Sequence, residues 1–143
     1  MSAELLHATA IAINGEGILL SGPSGSGKSD LALRLIDRGA VLISDDGVLV
    51  ELGQPLPILR TAPNIAGMIE MRGVGIVKMP FSDGVPLRLV VLLADEPERL
   101  PPEGFSTRIA AHDIACLKLQ PFEASAPLKV EYALRIAVGK QIP

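Results

Sequence analysis

Short apolar runs separated by glycine- and proline-rich turns predict an α/β fold with a mixed sheet and flanking helices. Two early runs, Ala8 to Ile13 and Ile18 to Leu20, predict strands, and the second leads directly into a glycine-rich loop. Ser29 to Arg38 is predicted as a helix, because apolar side chains recur four residues apart on one face. Gly39 follows at the position where a left-handed helix cap is expected.

The rest of the pattern predicts mostly strands. Ala40 to Ser44 is predicted as a strand, with Val48 to Glu51 as its hairpin partner. The stretch from Gly53 to Pro63 holds three prolines, so we expect an extended loop there. Further predicted elements are strands at about Leu87 to Ala94 and Ala115 to Leu119, and a helix at about Lys129 to Val138.

Composition narrows the class of protein. At 143 residues and 48% hydrophobic content, we expect residues 1–143 to form one domain. A net charge of −3 without a basic block argues against nucleic acid as a partner. The longest apolar run, Leu89 to Ala94, is far shorter than the roughly 20 residues that cross a membrane. The single cysteine, Cys116, cannot form an internal disulfide, so we expect a cytoplasmic protein.

The loop after the second strand fits the pattern G-x-x-x-x-G-K-[ST] at every fixed position, between a predicted strand and a predicted helix. Glycines let backbone N–H groups turn toward phosphate oxygens, and the helix N-terminus adds partial positive charge. The lysine then reaches the β and γ phosphates, and the last hydroxyl completes a magnesium shell. We therefore expect ATP with Mg²⁺ to bind at Gly22, Pro23, Ser24, Gly25, Ser26, Gly27, Lys28 and Ser29.

Phosphoryl transfer also needs carboxylates that hold magnesium and accept a proton. Two pairs follow apolar strands: Asp45-Asp46, which comes directly after the predicted loop helix and its strand, and Asp95-Glu96, which resembles a Walker B pair. A proline-rich turn follows the second pair, so its carboxylates can equally be ordinary turn residues. Pattern alone leaves the two sites open.

Glu70 and Arg72 form a third candidate feature, just before the glycine turn at Gly73 to Gly75. Two residues apart on a predicted strand, they point the same way, so Glu70 could bind magnesium while Arg72 offsets charge on the transferred phosphate. Taken alone, the segment is more simply interpreted as a surface ion pair beside a flexible turn.

These segments together resemble the catalytic domain of HPr kinase/phosphorylase. The resemblance covers roughly residues 5 to 80, in order. It rests on His7, the glycine loop through Asp30, Arg38-Gly39 followed by Ile43-Ser44-Asp45-Asp46, and Glu70-Met71-Arg72-Gly73-Val74-Gly75. The loop is shared with many families, whereas the Asp-Asp pair and the Glu-x-Arg-Gly-x-Gly segment are much more specific.

The resemblance implies a P-loop kinase catalytic domain with a fold like that of phosphoenolpyruvate carboxykinase, assembled as a homohexamer. Members of that family phosphorylate a seryl residue of the phosphocarrier HPr with ATP or pyrophosphate, and many catalyse the reverse phosphorolysis. By position, Asp45 matches the general base, and Asp46 and Glu70 match acidic residues around Mg²⁺, together with Ser29. His7 matches a histidine near the catalytic acid. The resemblance thus favours Asp45-Asp46 over Asp95-Glu96.

The sequence departs from the family in two places. The resemblance begins almost at Met1, so we expect the extra N-terminal domain common in the family to be missing, and Pro121-Phe122-Glu123 stands where a Pro-Gly-Arg-Asn segment is expected. That segment is implicated in phosphorolysis, so the reverse reaction on phosphoseryl HPr stays open as a second activity. Two other functions stay open: a small-molecule kinase or nucleotidase that uses Asp95-Glu96, and a non-catalytic ATP-sensing regulator.

Overall fold

The computed structural model describes residues 3–100 and 104–139, which form a mixed sheet with helices on one side. The strands are β1 (Ala3–Leu6), β2 (Thr9–Ile13), β3 (Glu16–Ser21), β4 (Val41–Ser44), β5 (Val48–Glu51), β6 (Ile58–Thr61), β7 (Met68–Met71), β8 (Gly75–Lys78), β9 (Val85–Leu93), β10 (Ser106–Ile109) and β11 (His112–Leu119). The helices are α1 (Lys28–Asp37) and α2 (Ala126–Ala137). The predicted mixed α/β fold is confirmed.

Three parallel strands form the centre of the sheet. β9 lies between β3 and β11 and runs parallel to both, so the carboxyl ends of the three strands meet at one edge. β2 and β4 continue the sheet beyond β3 by antiparallel pairing, and β10 continues it beyond β11. In such sheets, ligands bind outside the carboxyl ends of the parallel strands. The loop after β3 opens at this edge.

Two hydrophobic cores cover the two faces of the central sheet. Ile18 and Leu20 of β3 join the core under α1, α2 and the β7–β8 hairpin, whereas Leu19 joins the core on the opposite face. There β1, β5 and β6 form an antiparallel extension that joins the central sheet through the first residues of β9. This burial on both faces explains the continuous apolar run of β9.

Helix α1 begins directly after the glycine loop and holds that loop against the core. Its inward face buries Leu31, Ala32 and Leu35. Gly39, with φ at 113°, occupies the predicted left-handed position after the helix. Arg38 donates two hydrogen bonds of 2.9 Å to the carboxylate of Glu131, which ties α1 to α2.

The predicted pairing of Val48 to Glu51 with β4 is wrong. These residues form β5, which pairs with β1 and β6, whereas β4 pairs with β2. The turn between them redirects the chain, because the Ser44 hydroxyl donates to the Gly47 carbonyl and the Gly47 N–H donates to the Ala8 carbonyl. β5 therefore lies in the antiparallel extension with β1 and β6 and not beside β4 in the central sheet.

The extended loop expected over residues 53–63 contains a strand, β6, and this prediction is also wrong. The prolines stand outside β6, at positions 55, 57 and 63, so they do not interrupt its ladder with β5. Strands β1, β8 and β10 were not predicted, because all three are short and largely exposed. Of the proline-rich turn after Glu96, residues 101–103 lie outside the described part of the chain. No helix among the described residues is long and apolar enough to cross a membrane.

Candidate functional site

The glycine loop connects the buried end of β3 to the first turn of α1, as predicted. Gly25 and Gly27 have φ angles of 80° and 101°, a region that residues with a Cβ adopt at a cost. A Cβ on Gly22 would lie 2.6 Å from the hydroxyl oxygen of Ser26, so a larger residue there would force the Ser26 side chain to move. The loop is therefore tight and favours glycine at all three positions.

Lys28 is a buried cation at the centre of this loop. Its side chain is 7% exposed, and its ammonium group donates to the backbone carbonyls of Gly22 at 2.8 Å and Pro23 at 3.0 Å. Among the described residues, no carboxylate forms an ion pair with it. A buried charge without a counter-ion is costly. The loop is therefore suited to an anion, which would supply the missing negative charge.

Ser26 adds a second unsatisfied group to the same loop. Its hydroxyl oxygen is buried and has no hydrogen-bond partner among the described residues. Buried polar groups in native proteins are almost always paired, so an unpaired one needs an explanation. An anion bound in the loop would give this hydroxyl an acceptor.

Asp45 connects the loop to two other segments. Its side chain is 7% exposed, and one carboxylate oxygen accepts a hydrogen bond of 2.6 Å from the Ser29 hydroxyl. The same oxygen accepts a bond of 3.0 Å from the Thr9 hydroxyl, and the other oxygen accepts one of 3.1 Å from the Glu70 backbone N–H. The aspartate therefore lies directly beside the last residue of the loop.

Thr9 links the two neighbouring aspartates, and sequence analysis missed it. It is completely buried, and while its hydroxyl donates to Asp45 it also accepts a bond of 3.1 Å from the Asp46 backbone N–H. Asp46 adopts a left-handed conformation with φ at 53°, and its side chain is exposed. No spacing rule identifies Thr9, since a threonine in a strand is usually interpreted as a β-former.

A backbone hydrogen bond of the residue after His7 brings it close to the turn at Gly47, which follows the two aspartates. The next residue, Ala8, accepts the Gly47 N–H at 2.8 Å, and His7 itself is exposed. Glu70 is exposed on β7, whereas Arg72 is exposed in the turn after β7. The expectation that Glu70 and Arg72 share one strand is wrong, because β7 ends at Met71 where the hairpin turns.

The alternative pair, Asp95-Glu96, follows β9 at the same edge of the sheet. Both side chains are exposed, and in the described residues neither forms a hydrogen bond or ion pair with the glycine loop. Asp45 is instead the carboxylate that contacts the loop serine. This contact favours Asp45-Asp46 as the pair that works with the loop.

The described residues contain no group of three or more His, Cys, Asp or Glu side chains close enough to enclose a metal. Mg²⁺ does not require such a cage, because it is usually held by one or two carboxylates together with substrate phosphates and waters. The Ser29 hydroxyl and the Asp45 carboxylate, 2.6 Å apart beside the loop, supply oxygen donors of this kind. The residues present therefore fit magnesium.

A strand, a G-x-x-x-x-G-K-[ST] loop and a helix N-terminus at the carboxyl edge of parallel strands define an α/β protein of the P-loop class. Comparison with known families identifies it further. The family model of the HPr serine kinase C-terminal domain matches residues 1–86. The chain belongs to this family.

Individual relatives agree with this assignment. The chain is 36% identical to HPr kinase/phosphorylase of Burkholderia lata and 35% identical to that of Burkholderia cenocepacia, in each case over 80% of this chain and 39% of the relative. The chain thus spans well under half the length of these curated relatives. The Hpr(Ser) kinase/phosphatase structure of Coxiella burnetii matches 96% of this chain and 92% of that chain with a TM-score of 0.79 and 24% identity, which establishes the shared fold.

Proposed function

We propose that the chain is an ATP-dependent protein kinase domain that transfers the γ-phosphate of ATP to a seryl residue of the phosphocarrier HPr. The contact between the Ser29 hydroxyl and Asp45 carries this proposal, because it joins a phosphate-binding loop to a carboxylate pair. Family membership supports the choice of HPr as the acceptor. A cytoplasmic location and a homohexameric assembly are part of the same proposal.

Binding of the triphosphate is assigned to the loop. Residues 22–29 would surround the phosphates with backbone N–H groups, and Lys28 would exchange its carbonyl partners for phosphate oxygens. The Ser26 hydroxyl, which has no partner in the described part of the chain, supplies one more donor inside the loop. Each of these groups gains a stronger, charge-assisted partner when the anion binds.

Magnesium would be held by Ser29 and by a carboxylate of the acidic group Asp45, Asp46 and Glu70. When bound, Mg²⁺ neutralises charge that develops on the transferred phosphate. Arg72 lies one residue beyond β7 and is proposed to supply further positive charge there. His7, exposed beside the same turn, is proposed to tune the acid–base group.

The two aspartates would divide the roles of base and metal ligand between them. Family resemblance gives the base to Asp45. The contacts favour the reverse division, because Asp45 is buried and already accepts three hydrogen bonds, whereas the Asp46 carboxylate is exposed to an incoming hydroxyl. A general base must reach the proton that it removes.

Phosphotransfer from radiolabelled ATP to purified HPr, with and without Mg²⁺, tests the proposal. We expect Mg²⁺-dependent labelling of HPr. If Asp46 is the base, Asp46→Asn lowers the transfer rate about 100-fold or more and leaves the ATP affinity unchanged. If Asp45 is the base, Asp45→Asn has these two effects instead. ATP binding without transfer to HPr would instead support a sensor.

A second set of variants distinguishes the HPr kinase from a small-molecule kinase or nucleotidase. The small-molecule enzyme predicts that Asp95→Asn or Glu96→Gln impairs turnover more than substitution of either residue of the Asp45-Asp46 pair. We expect the opposite, because the first pair lies beside the loop serine. The reverse reaction is tested with inorganic phosphate and phosphoseryl HPr, and formation of pyrophosphate would establish phosphorolysis.

A further inference from the structure

The position of Asp45 and Asp46 indicates how a bound nucleotide is oriented along the edge of the sheet. Asp45 and Asp46 follow β4, which lies beyond β2 on one side of β3. We orient the terminal phosphate toward these carboxylates, since they are the groups proposed to act on it. This orientation leaves the other side of β3, where β9 and β11 end, for the nucleoside.

An aromatic side chain stands at that side of the loop. Phe122 lies in the segment between β11 and α2, and a Cβ placed on Gly27 would lie 2.9 and 3.1 Å from two atoms of its ring. The ring is therefore in contact with the glycine loop. Phe122 is nevertheless 61% exposed, so much of the side chain remains open to solvent.

Hydrogen bonds hold this segment to the loop's own helix. Arg34 of α1 donates to the Pro121 carbonyl and, at 3.3 Å, to the Glu123 carbonyl, which are the residues on either side of Phe122. The Phe122 backbone N–H donates to the Gln120 side chain at 2.6 Å. The backbone that carries the ring is thus fixed relative to α1 and the loop.

We propose that the Phe122 ring is the platform on which the nucleobase of the bound nucleotide stacks; the proposal rests on nucleotide binding by the loop. Aromatic rings bind bases of any identity through their faces, because every base has a π-face. The assignment gives a role to a large apolar side chain that is otherwise exposed beside the phosphate site.

Calorimetric titration with Mg-ATP and with Mg-tripolyphosphate tests the proposal, because the second ligand has the phosphates and lacks the nucleoside. We compare the wild-type chain with Phe122→Leu, which keeps apolar contact with Gly27 and loses the aromatic face. We expect Phe122→Leu to bind ATP about tenfold more weakly and tripolyphosphate with unchanged affinity. Phe122→Trp should keep or increase the affinity for ATP.

Two outcomes with Phe122→Leu overturn the proposal. An equal fall in both affinities means that the ring only shapes the loop, and unchanged ATP affinity means that it does not contact the base. A wild-type chain that binds neither ligand contradicts the proposed function as well. One that binds both equally well contradicts only the stacking role, so the two failures are distinguishable.

Fluorescence gives an independent measurement, since the chain contains no tryptophan. The emission of Phe122→Trp should change more when ATP binds than when tripolyphosphate binds, because only ATP brings a base onto the ring. Leu52→Trp is the matched control. Leu52 is 50% exposed and precedes Gly53, whose carbonyl lies 2.8 Å from His112 at the start of β11, the edge opposite the loop. The assignment is refuted if the emission of Leu52→Trp responds to ATP and that of Phe122→Trp does not.

Discussion

Replacing Thr9 with valine removes one hydroxyl from the site and almost nothing else. The side chain is completely buried, and valine has nearly the same shape. The Thr9 hydroxyl donates to the Asp45 carboxylate at 3.0 Å and accepts the Asp46 backbone N–H at 3.1 Å. The substitution therefore removes one hydrogen bond to the Asp45 side chain and one to the Asp46 backbone.

The expected loss of stability follows from these two bonds. A hydrogen bond to a charged group contributes about 1.5–3 kcal/mol, and leaving a buried donor unpaired costs about 1–3 kcal/mol. Asp45 keeps its bonds from Ser29 and Glu70, and the Asp46 N–H is only partly buried. We therefore expect Thr9→Val to lower the free energy of unfolding by about 2–3 kcal/mol. A domain of ordinary stability, about 5–15 kcal/mol, stays folded after such a loss.

Urea unfolding measures that loss, and steady-state phosphotransfer to HPr measures the functional effect. The transfer rate kcat should fall about tenfold or more, because a displaced base or metal ligand no longer meets the reacting groups. The KM for ATP should change less than about twofold, because Lys28 and the loop backbone are untouched. A residue with a merely structural role would not separate kcat from KM in this way.

Thr61→Val is the matched control. The Thr61 hydroxyl donates to the Ile43 carbonyl at 2.7 Å and contacts neither aspartate. It should cost about 1 kcal/mol of stability and leave kcat unchanged. Full transfer by folded Thr9→Val, or an equal loss of transfer in both variants, would refute the positioning role of Thr9.

Two further predictions concern buried groups. Lys28→Met should abolish detectable ATP binding by calorimetry while the free energy of unfolding stays the same or rises. The reason is that it removes a buried cation that has no counter-ion within residues 3–100 and 104–139, and a marked loss of stability would contradict this account. Burial raises the pKa of the Cys116 thiol above its ordinary value of 9.0, so above about pH 9 the unfolded chain ionises first and stability falls. Urea unfolding at pH 8 and pH 10 should show a smaller fall for Cys116→Ala than for the wild type, and equal falls would contradict the burial effect.

The glycine loop and its helix were predictable because they depend on local rules. The pattern from Gly22 to Ser29 requires a strand before it and a helix after it, and the structure has β3 and α1 there. Gly39 after α1 follows the same kind of rule. The continuous apolar run of β9 was recognisable as a strand because such a strand is buried on both faces.

Strand pairing was less predictable, since it depends on where the chain turns. The hairpin expected between β4 and β5 fails because bonds from Ser44 and Ala8, remote in sequence from each other, redirect the turn at Gly47. β6 was hidden by prolines that flank a strand without entering its hydrogen-bond ladder. Neither feature can be read from periodicity.

The amino-acid sequence by itself determined the phosphate-binding loop, because its glycines and lysine act through backbone conformation and charge within eight consecutive residues. Only the tertiary structure decided which groups surround that loop. It brings Asp45 against Ser29 across 16 positions of sequence, Thr9 against Asp45 across 36, and Phe122 against Gly27. Such contacts depend on the order of strands in the sheet, because strand order determines which loops meet at its carboxyl edge.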